Sequence, residues 1–381
     1  MSAEQLFERP EGSYRLHRYP HLPKLPLRAW DAADELLLQH LDELQQQGQT
    51  LPPPLILNDA FGALAVALHQ QHPSSCGDSY LAQKALALNL AGNGIDPGKV
   101  RLLAPFDPPP KAIKLLLIKL PKTLSLLEDQ LCRVRPYLAP DCRIIGAAMA
   151  KHIQRSSVEL FEQLIGPSRC SLAKKKARLL FAELDPAKPD IDSPYPSRYQ
   201  LEGSQYQVFN QAGVFSREKL DIGTRLFLQQ IPSGIGGGRI IDLGCGNGLV
   251  GLIAAEQNPD ARLLFTDESF RALASAKQTF EAAFGDRRSA EFIADNCLEQ
   301  QPDNSAALVL NNPPFHQQQS VGDHIARQMF RDARRVLQPG GELRVIGNRH
   351  LGYHQQLRRL FGNCELIANN PKFVVLSAIK R

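Results

Sequence analysis

No stretch of this sequence stays apolar for the ~20 residues that a bilayer-crossing helix requires, and the N-terminus carries no basic-then-apolar leader. A soluble, cytoplasmic protein without a membrane partner is expected. The seven cysteines are odd in number, scattered, and include no C-x-x-C pair. That pattern argues against a disulfide framework and against a structural zinc site, so reduced thiols and no metal are expected. Neither sign of charge dominates, since 44 Lys and Arg stand against 39 Asp and Glu for a net charge of +5. Such a balance is compatible with an anionic partner but is shared by many proteins that bind none. At 381 residues, 43% of them hydrophobic, the chain exceeds an ordinary domain of roughly 100 to 200 residues. Two domains, each with its own core, and a monomeric protein are expected.

The basic residues are unevenly placed. Lys174, Lys175, Lys176 and Arg178 form a run, with Arg155 and Arg169 upstream, and Arg327, Arg331, Arg334 and Arg335 fall on one predicted helix. Each cluster alone suits a solvated helix face as well as a phosphate-binding surface. After the first cluster, which reads as helical, Asp185 to Ser197 carries four prolines and no hydrophobic period. Residues 185–200 are therefore expected to link residues 1–184 to residues 201–381.

Downstream of that stretch, β-rich runs alternate with runs of helical period. Arg239 to Leu243, Arg262 to Thr266, Glu291 to Ala294, Ala306 to Leu310 and Glu342 to Ile346 read as strands, with helices such as Leu249 to Gln257 and Phe270 to Phe284 between them. Alternation of this kind needs crossover connections, hence a parallel sheet covered on both faces. Cys364 to Ala368 and Phe373 to Ile379, joined by a short N-N-P-K turn, should close the sheet as an antiparallel hairpin.

The first half repeats this order in eroded form. Leu55 to Leu68 lies over Arg239 to Leu252 with Gly62 on Gly246, Leu115 to Lys122 over Ala307 to Pro314 with Pro121 on Pro313, and Tyr137 to Gly146 resembles Val336 to Gly347. Three correspondences in one order predict a duplicated α/β unit.

Ile240 to Gly248 reads I-I-D-L-G-C-G-N-G, a strand, a glycine-rich turn and the start of a helix. Gly244, Gly246 and Gly248 permit positive φ and close approach of backbone to a ligand, and the helix N-terminus beyond them suits a carboxylate or a phosphate. With Asp242 two residues before the first glycine, the spacing differs from the dinucleotide G-x-G-x-x-G. Asp267 ends the second strand, where a carboxylate can accept both hydroxyls of a ribose. Asp295 and Asn296 end the third, where a side-chain acceptor could meet an adenine amino group, although an acid there is also an ordinary helix cap. The order of these features resembles the class I, Rossmann-like methyltransferase fold, which implies S-adenosyl-L-methionine as cofactor.

After the fourth strand comes N-N-P-P-F-H, residues 311–316, which resembles the N-P-P-[FYW] motif of amino-directed methyltransferases. An exocyclic base amine is a poor nucleophile because its lone pair is delocalised, so its hydrogens must be held and its lone pair aimed at the methyl group. Asn312 supplies a carbonyl acceptor. Pro313 and Pro314 fix φ and donate no N–H, so the Pro313 carbonyl can serve as a second acceptor. Phe315 offers a face on which a base can stack. His316 is a candidate for shaping the pocket or binding substrate. The corresponding residues of the first half are Lys119, Leu120, Pro121 and Lys122, with Asn58 and Ala60 for Asp242 and Gly244, so that half is expected to have lost both pockets.

Taken whole, the chain resembles the bacterial rRNA guanine-N2 methyltransferases with two tandem methyltransferase-like domains. The carriers are D-L-G-C-G-N-G at 242–248, N-P-P-F-H at 312–316, and G-V-F-S at 213–216 followed by Asp221. The last segment, with Phe215, is one the family places over the cofactor. The resemblance implies methylation of guanine N2 in ribosomal RNA, and length and spread of match look more like the large-subunit (23S) enzyme than the small-subunit (16S) one. It also implies that the degenerate N-terminal copy helps to hold RNA, which suits Lys174, Lys175, Lys176 and Arg178. Adenine-N6 and protein-glutamine methyltransferases use a similar loop, but usually with Tyr at the position of Phe315. A non-catalytic RNA-binding protein is a third class, disfavoured by intact motifs in the second half.

Overall fold

The alternating apolar runs of this computed structural model assemble into two seven-stranded sheets, one in each of two units, Met1–Tyr195 and Pro196–Arg381. Residues 6–21, 27–214, 220–314 and 320–381 are described. The first unit opens on a hairpin of β1 (Leu6–Arg9) and β2 (Gly12–Arg15), followed by α1 (Ala32–Gln46). Then come β3 (Leu55–Leu57), α2 (Ala63–Ala67), β4 (Ser74–Cys76), α3 (Tyr80–Gly92), β5 (Arg101–Leu103), β6 (Ile113–Lys119), α4 (Leu124–Val134), β7 (Leu138–Met149), α5 (Arg155–Leu164), β8 (Ser168–Cys170) and β9 (Ala177–Ala182). The sheet order is β5-β4-β3-β6-β7-β9-β8, parallel from β5 to β7 and antiparallel at β9 and β8.

The second unit repeats this plan element for element. Its hairpin is β10 (Ser197–Gln200) and β11 (Gln207–Asn210), and its first helix is α6 (Ile222–Leu228). There follow β12 (Arg239–Leu243), α7 (Leu249–Gln257), β13 (Arg262–Asp267), α8 (Phe270–Phe284), β14 (Glu291–Ala294), β15 (Ala306–Asn311), α9 (Ser320–Val336), β16 (Leu337–Asn348), α10 (Tyr353–Phe361), β17 (Glu365–Asn369) and β18 (Phe373–Ile379). The order β14-β13-β12-β15-β16-β18-β17 matches that of the first sheet. Even the leading hairpins dock alike, with Asn89 of α3 accepting from the His17 N–H and Thr279 of α8 from the Phe209 N–H.

Successive residues of the central strands point to opposite faces, and both faces are covered. Ile241, Leu243 and Val309 pack with Phe330 of α9 and Leu357 of α10, while Ile240, Leu308 and Leu310 pack with Ala254 of α7 and Phe280 of α8. This two-sided burial is why the strands read as continuous apolar runs. The parallel sheet with its terminal antiparallel hairpin is the class I methyltransferase plan expected from sequence.

The basic run that reads as helical is a tight turn instead. Lys174 pairs with Ala177 across Lys175 and Lys176, both at positive φ (48° and 62°), which is the turn whose twist suits the flanking strands. The proline-rich stretch expected as a linker is divided between the units. Residues 185–195 belong to the first unit, where Arg135, buried, donates to the carbonyls of Asp185 and Lys188 and meets Asp190 at 3.1 Å, and the Tyr195 hydroxyl bonds Glu128 at 2.8 Å. Prolines supply no N–H to a sheet, so side chains of the domain hold this segment instead.

Strand registers correct the internal alignment. Both sheets share an irregularity at the same place, between Ile113 and Leu115 in β6 and between Ala306 and Leu308 in β15. It sets Ile118 on Asn311 and Lys119 on Asn312, one residue from the sequence alignment. Leu55 pairs with Leu116 as Ile241 pairs with Val309, which moves the first segment by two and places Gly62 on Gly248. The glycines agree, at φ 82° and 78°, each so close to the next helix that a Cβ would fall 2.9 Å from the Leu86 Cα or 2.7 Å from the Ala276 Cα. Asn58, at φ 65°, takes the place of Gly244, at φ 71°. Apolar runs tolerate such slips in an alignment, whereas a packed sheet has one register.

Counting along the paired strands, Gly77, Pro105, Phe106 and Lys119 stand where the second unit has Asp267, Asp295, Asn296 and Asn312. The first unit thus lacks the acids and the amide of the second. One feature persists by different means: Asp59 Oδ2 accepts from the Ala65 N–H at 2.9 Å, as Asp242 Oδ2 accepts from the Gly251 N–H at 2.7 Å. Burial, reinforced by Asp34, pushes the Asp59 carboxyl up to about 7. A carboxyl raised in the folded state favours folding while protonated and loses that contribution as pH climbs from its unfolded value, ~4, through about 7. Asp59→Asn keeps an acceptor for Ala65 and cannot ionise, so its melting temperature relative to wild type should rise between pH 5 and pH 8. A pH-independent difference in thermal melts would contradict this.

Candidate active site

The C-terminal ends of β12, β13, β14 and β15 form one edge of the second sheet, and Gly244, Gly246, Gly248, Asp267, Asp295, Asn296 and Asn312 stand there, each at or just after a strand end. The turn after β12 has all three glycines at positive φ, 71°, 54° and 78° for Gly244, Gly246 and Gly248. At Gly246 a Cβ would meet nothing within 4 Å, so the turn presents open backbone there.

Asp267, at the end of β13, ties this turn down: its Oδ2 accepts from the Gly246 N–H and its Oδ1 from the Ser269 N–H, both at 3.0 Å. A carboxylate has about four acceptor sites, enough for these N–H groups and a ribose diol together. Asp242 lies beneath the turn, 2% exposed, and burial pushes its carboxyl up to about 7. It fastens β12 to α7 through Gly251 and does not line the edge. Asp295 is likewise buried and raised by burial, with its carboxylate accepting from the N–H groups of Asn296 (2.7 Å) and Gln300 (3.1 Å). No helix lies between β14 and β15 among the described residues, so the carboxylate braces the turn between those strands rather than capping a helix. The Asn296 side chain donates to Glu299 at 3.1 Å.

In the loop after β15, Asn311 is wholly buried and donates to the Leu243 carbonyl at 2.8 Å, locking the loop to the end of β12. Asn312 is half-buried and donates from Nδ2 to the Thr224 hydroxyl at 3.2 Å. Its Oδ1 is enclosed and accepts no hydrogen bond from the described residues. An enclosed carbonyl without a donor is costly unless something else supplies one. Pro313 is buried and Pro314 half-buried. Phe215, Phe315 and His316 lie outside the described residues. The open glycine turn, the acid beside it and the orphaned amide oxygen fit a nucleoside cofactor next to an amine substrate. Reading the sequence missed Asn311 and Thr224, since an Asn beside an Asn and a Thr in a short helix carry no motif of their own.

Two family descriptions match the chain: "RLMG N-terminal domain" over residues 4–186 and "Methyltransferase small domain" over residues 205–377. The protein named ribosomal RNA large subunit methyltransferase G of Streptomyces coelicolor is 50% identical over 97% of this chain and 99% of its own length. The protein of the same name from Stutzerimonas stutzeri is 50% identical over 98% and 99%. The chain belongs to the ribosomal RNA large subunit methyltransferase G family. Within the solved structures, it is similar to the T. thermophilus 16S rRNA N2-guanine methyltransferase RsmC, determined with AdoMet and guanosine, at 20% identity and a TM-score of 0.76 over 99% of this chain and 97% of that one. That likeness is one of fold and spans both units.

Of the basic residues, Arg335 is taken up inside the domain by Asp303 and the carbonyls of Leu298 and Gln301. Arg327, Arg331 and Arg334 are exposed on α9. Lys174, Lys175 and Lys176 are exposed at the turn, with Lys174 reaching Gln39 (2.7 Å) and Lys175 reaching Glu35 (3.1 Å) on α1, while Arg178 is half-buried on β9. No metal-binding cluster, and no helix long and apolar enough to cross a membrane, occurs among the described residues, and none of the seven cysteines is paired with another.

Proposed function

We propose that the second unit transfers a methyl group from S-adenosyl-L-methionine to the exocyclic N2 amine of a guanine in ribosomal RNA, with large-subunit 23S rRNA as substrate. The observation that carries this reading is the enclosed Oδ1 of Asn312 at the cofactor edge, to which none of the described residues donates, an acceptor suited to an amine hydrogen. The names of the relatives favour large-subunit RNA, and guanosine bound in RsmC favours a guanine acceptor.

The cofactor supplies an activated methyl on a cationic sulfur, with a neutral thioether as leaving group. Asp267 would hold the ribose hydroxyls, with Asp242 fastening α7 to β12 and Asp295 bracing the turn after β14 from beneath. Asn296, next to Asp295 at the end of β14, would bound the adenine side. Asn312, with the Pro313 carbonyl, holds the amine hydrogens so that the nitrogen lone pair faces the methyl carbon. Because the cofactor would supply its methyl with a thioether leaving group, the proton lost by the nitrogen could pass to solvent, and no strong base would be required of these residues. Phe315 would stack the base, with His316 beside it.

The test is mass mapping of modified nucleosides in rRNA treated with the enzyme and labelled cofactor. N2-methylguanine in large-subunit RNA is expected. The same product confined to small-subunit RNA would move the substrate, and N6-methyladenine or a methylated glutamine would overturn the acceptor.

Lys174, Lys175 and Lys176 are proposed to hold RNA phosphates, with Arg178 at the base of the turn. Replacing the three lysines by alanine should weaken RNA binding and shrink the slope of log affinity against log salt by about 2, since each neutralised phosphate contributes roughly 0.7 to 0.9. Filter binding at several salt concentrations checks this, and an unchanged slope refutes it.

A further inference from the structure

The hydrogen bonds behind Asn312 fix which end of its amide meets the substrate. Thr224 Oγ1 donates to Asp221 Oδ2 at 2.7 Å and accepts from Asn312 Nδ2 at 3.2 Å. A hydroxyl has one proton and a carboxylate only accepts. With that proton committed to Asp221, Thr224 offers Asn312 lone pairs alone. A flipped amide would set two oxygens against each other with no hydrogen between them. The NH2 must therefore face Thr224, and Oδ1 is left enclosed and without a donor among the described residues. Asp221 is itself held as the N-cap of α6, accepting from the N–H groups of Gly223 (3.1 Å) and Thr224 (2.9 Å).

The first unit retains the same connection in another form. Asp31, the N-cap of α1, and Asp34 three residues on answer to Asp221 and Thr224, and Lys119 answers to Asn312. Lys119 Nζ lies 2.8 Å from Asp31 and 2.6 Å from Asp34. In both copies the first turn of the leading helix grips the residue at the end of the fourth parallel strand. In the first copy an ion pair saturates the grip, and in the second a polar relay ends in a carbonyl to which none of the described residues donates.

We propose that Thr224 and Asp221 are positioning residues for methyl transfer, acting through Asn312 by fixing its carbonyl oxygen as the acceptor for the target amine. The inference rests on the acceptor role of Asn312 proposed above. Thr224→Val removes the hydroxyl, keeps the shape and leaves the backbone cap on Asp221 in place, while Thr224→Ser restores the hydroxyl. Single-turnover methyl transfer in the full chain, with RNA and cofactor saturating, should fall about tenfold in Thr224→Val, the scale of one lost hydrogen bond. Rate should return to within about twofold of wild type in Thr224→Ser, and cofactor affinity by calorimetry should be unchanged in both. In an Asn312→Ala background, Thr224→Val should cost nothing further. A full rate in Thr224→Val, a Thr224→Ser as slow as the valine variant, or a cofactor affinity that falls in step with the rate would each overturn the proposal. Nucleoside analysis of the labelled product is independent of these rates: a product other than N2-methylguanine removes the acceptor assignment and leaves a Thr224 effect standing.

Discussion

Asn312→Ala is expected to reduce methyl transfer by on the order of a hundredfold or more at saturating RNA and cofactor, by analogy with the loss of one oriented donor from an oxyanion hole. Nδ2 of the side chain grips Thr224, and Oδ1, without a donor among the described residues, is the proposed acceptor for the amine. Alanine removes the acceptor and frees the amine to rotate, so that its lone pair returns to conjugation with the base. The cofactor edge should survive, because Asn311, and not Asn312, ties the loop to β12 through the Leu243 carbonyl. Calorimetry should accordingly find cofactor affinity within about twofold of wild type, well below one hydrogen bond's worth. Full activity in a folded Asn312→Ala protein would refute the mechanism.

Asp267→Ala should have the opposite signature. Its carboxylate holds the Gly246 and Ser269 N–H groups, and the ribose hydroxyls are assigned to the same oxygens. Removing it costs hydrogen bonds to a charged group, ~1 to 3 kcal/mol, and therefore about 5- to 150-fold in cofactor affinity. The transfer rate at saturating cofactor should change much less, since no atom of Asp267 is proposed to touch the amine. Titration calorimetry gives the affinity and single-turnover assays the rate. An unchanged dissociation constant in a folded variant would mean that the ribose sits elsewhere.

These two residues were legible in the sequence because the chemistry requires particular atoms at strand ends, and strand ends are visible where an apolar run meets a glycine or proline. The strands Arg239–Leu243 and Glu291–Ala294 and the helices Leu249–Gln257 and Phe270–Phe284 have the bounds expected from periodicity alone. The duplication was legible in outline but not in register: a run such as Leu115 to Ile118 looks much the same after sliding by one residue. The shared irregularity in β6 and β15 aligned the copies, and it depends on pairing with β7 and β16. Lys175 and Lys176 misled for a related reason, since lysine suits helices by composition and only the pairing of Lys174 with Ala177 forces both into a left-handed turn.

What the sequence determined by itself is the α/β alternation, the methyltransferase signature and the amide of the N-P-P-F loop, because each depends on residue types at short spacings. What only the tertiary structure decided is the work of each polar atom. Asp242 and Asp295 read as pocket residues, yet their carboxylates are spent beneath the surface on N–H groups of α7 and of the turn after β14. Thr224 reads as nothing in particular, yet its one proton, given to Asp221, determines which end of Asn312 faces outward. The partners lie far apart in the chain, 88 residues for Thr224 and Asn312. A hydrogen bond is satisfied in space and not along the sequence, so these assignments became definite only when the sheet brought the strand ends and the helix cap together.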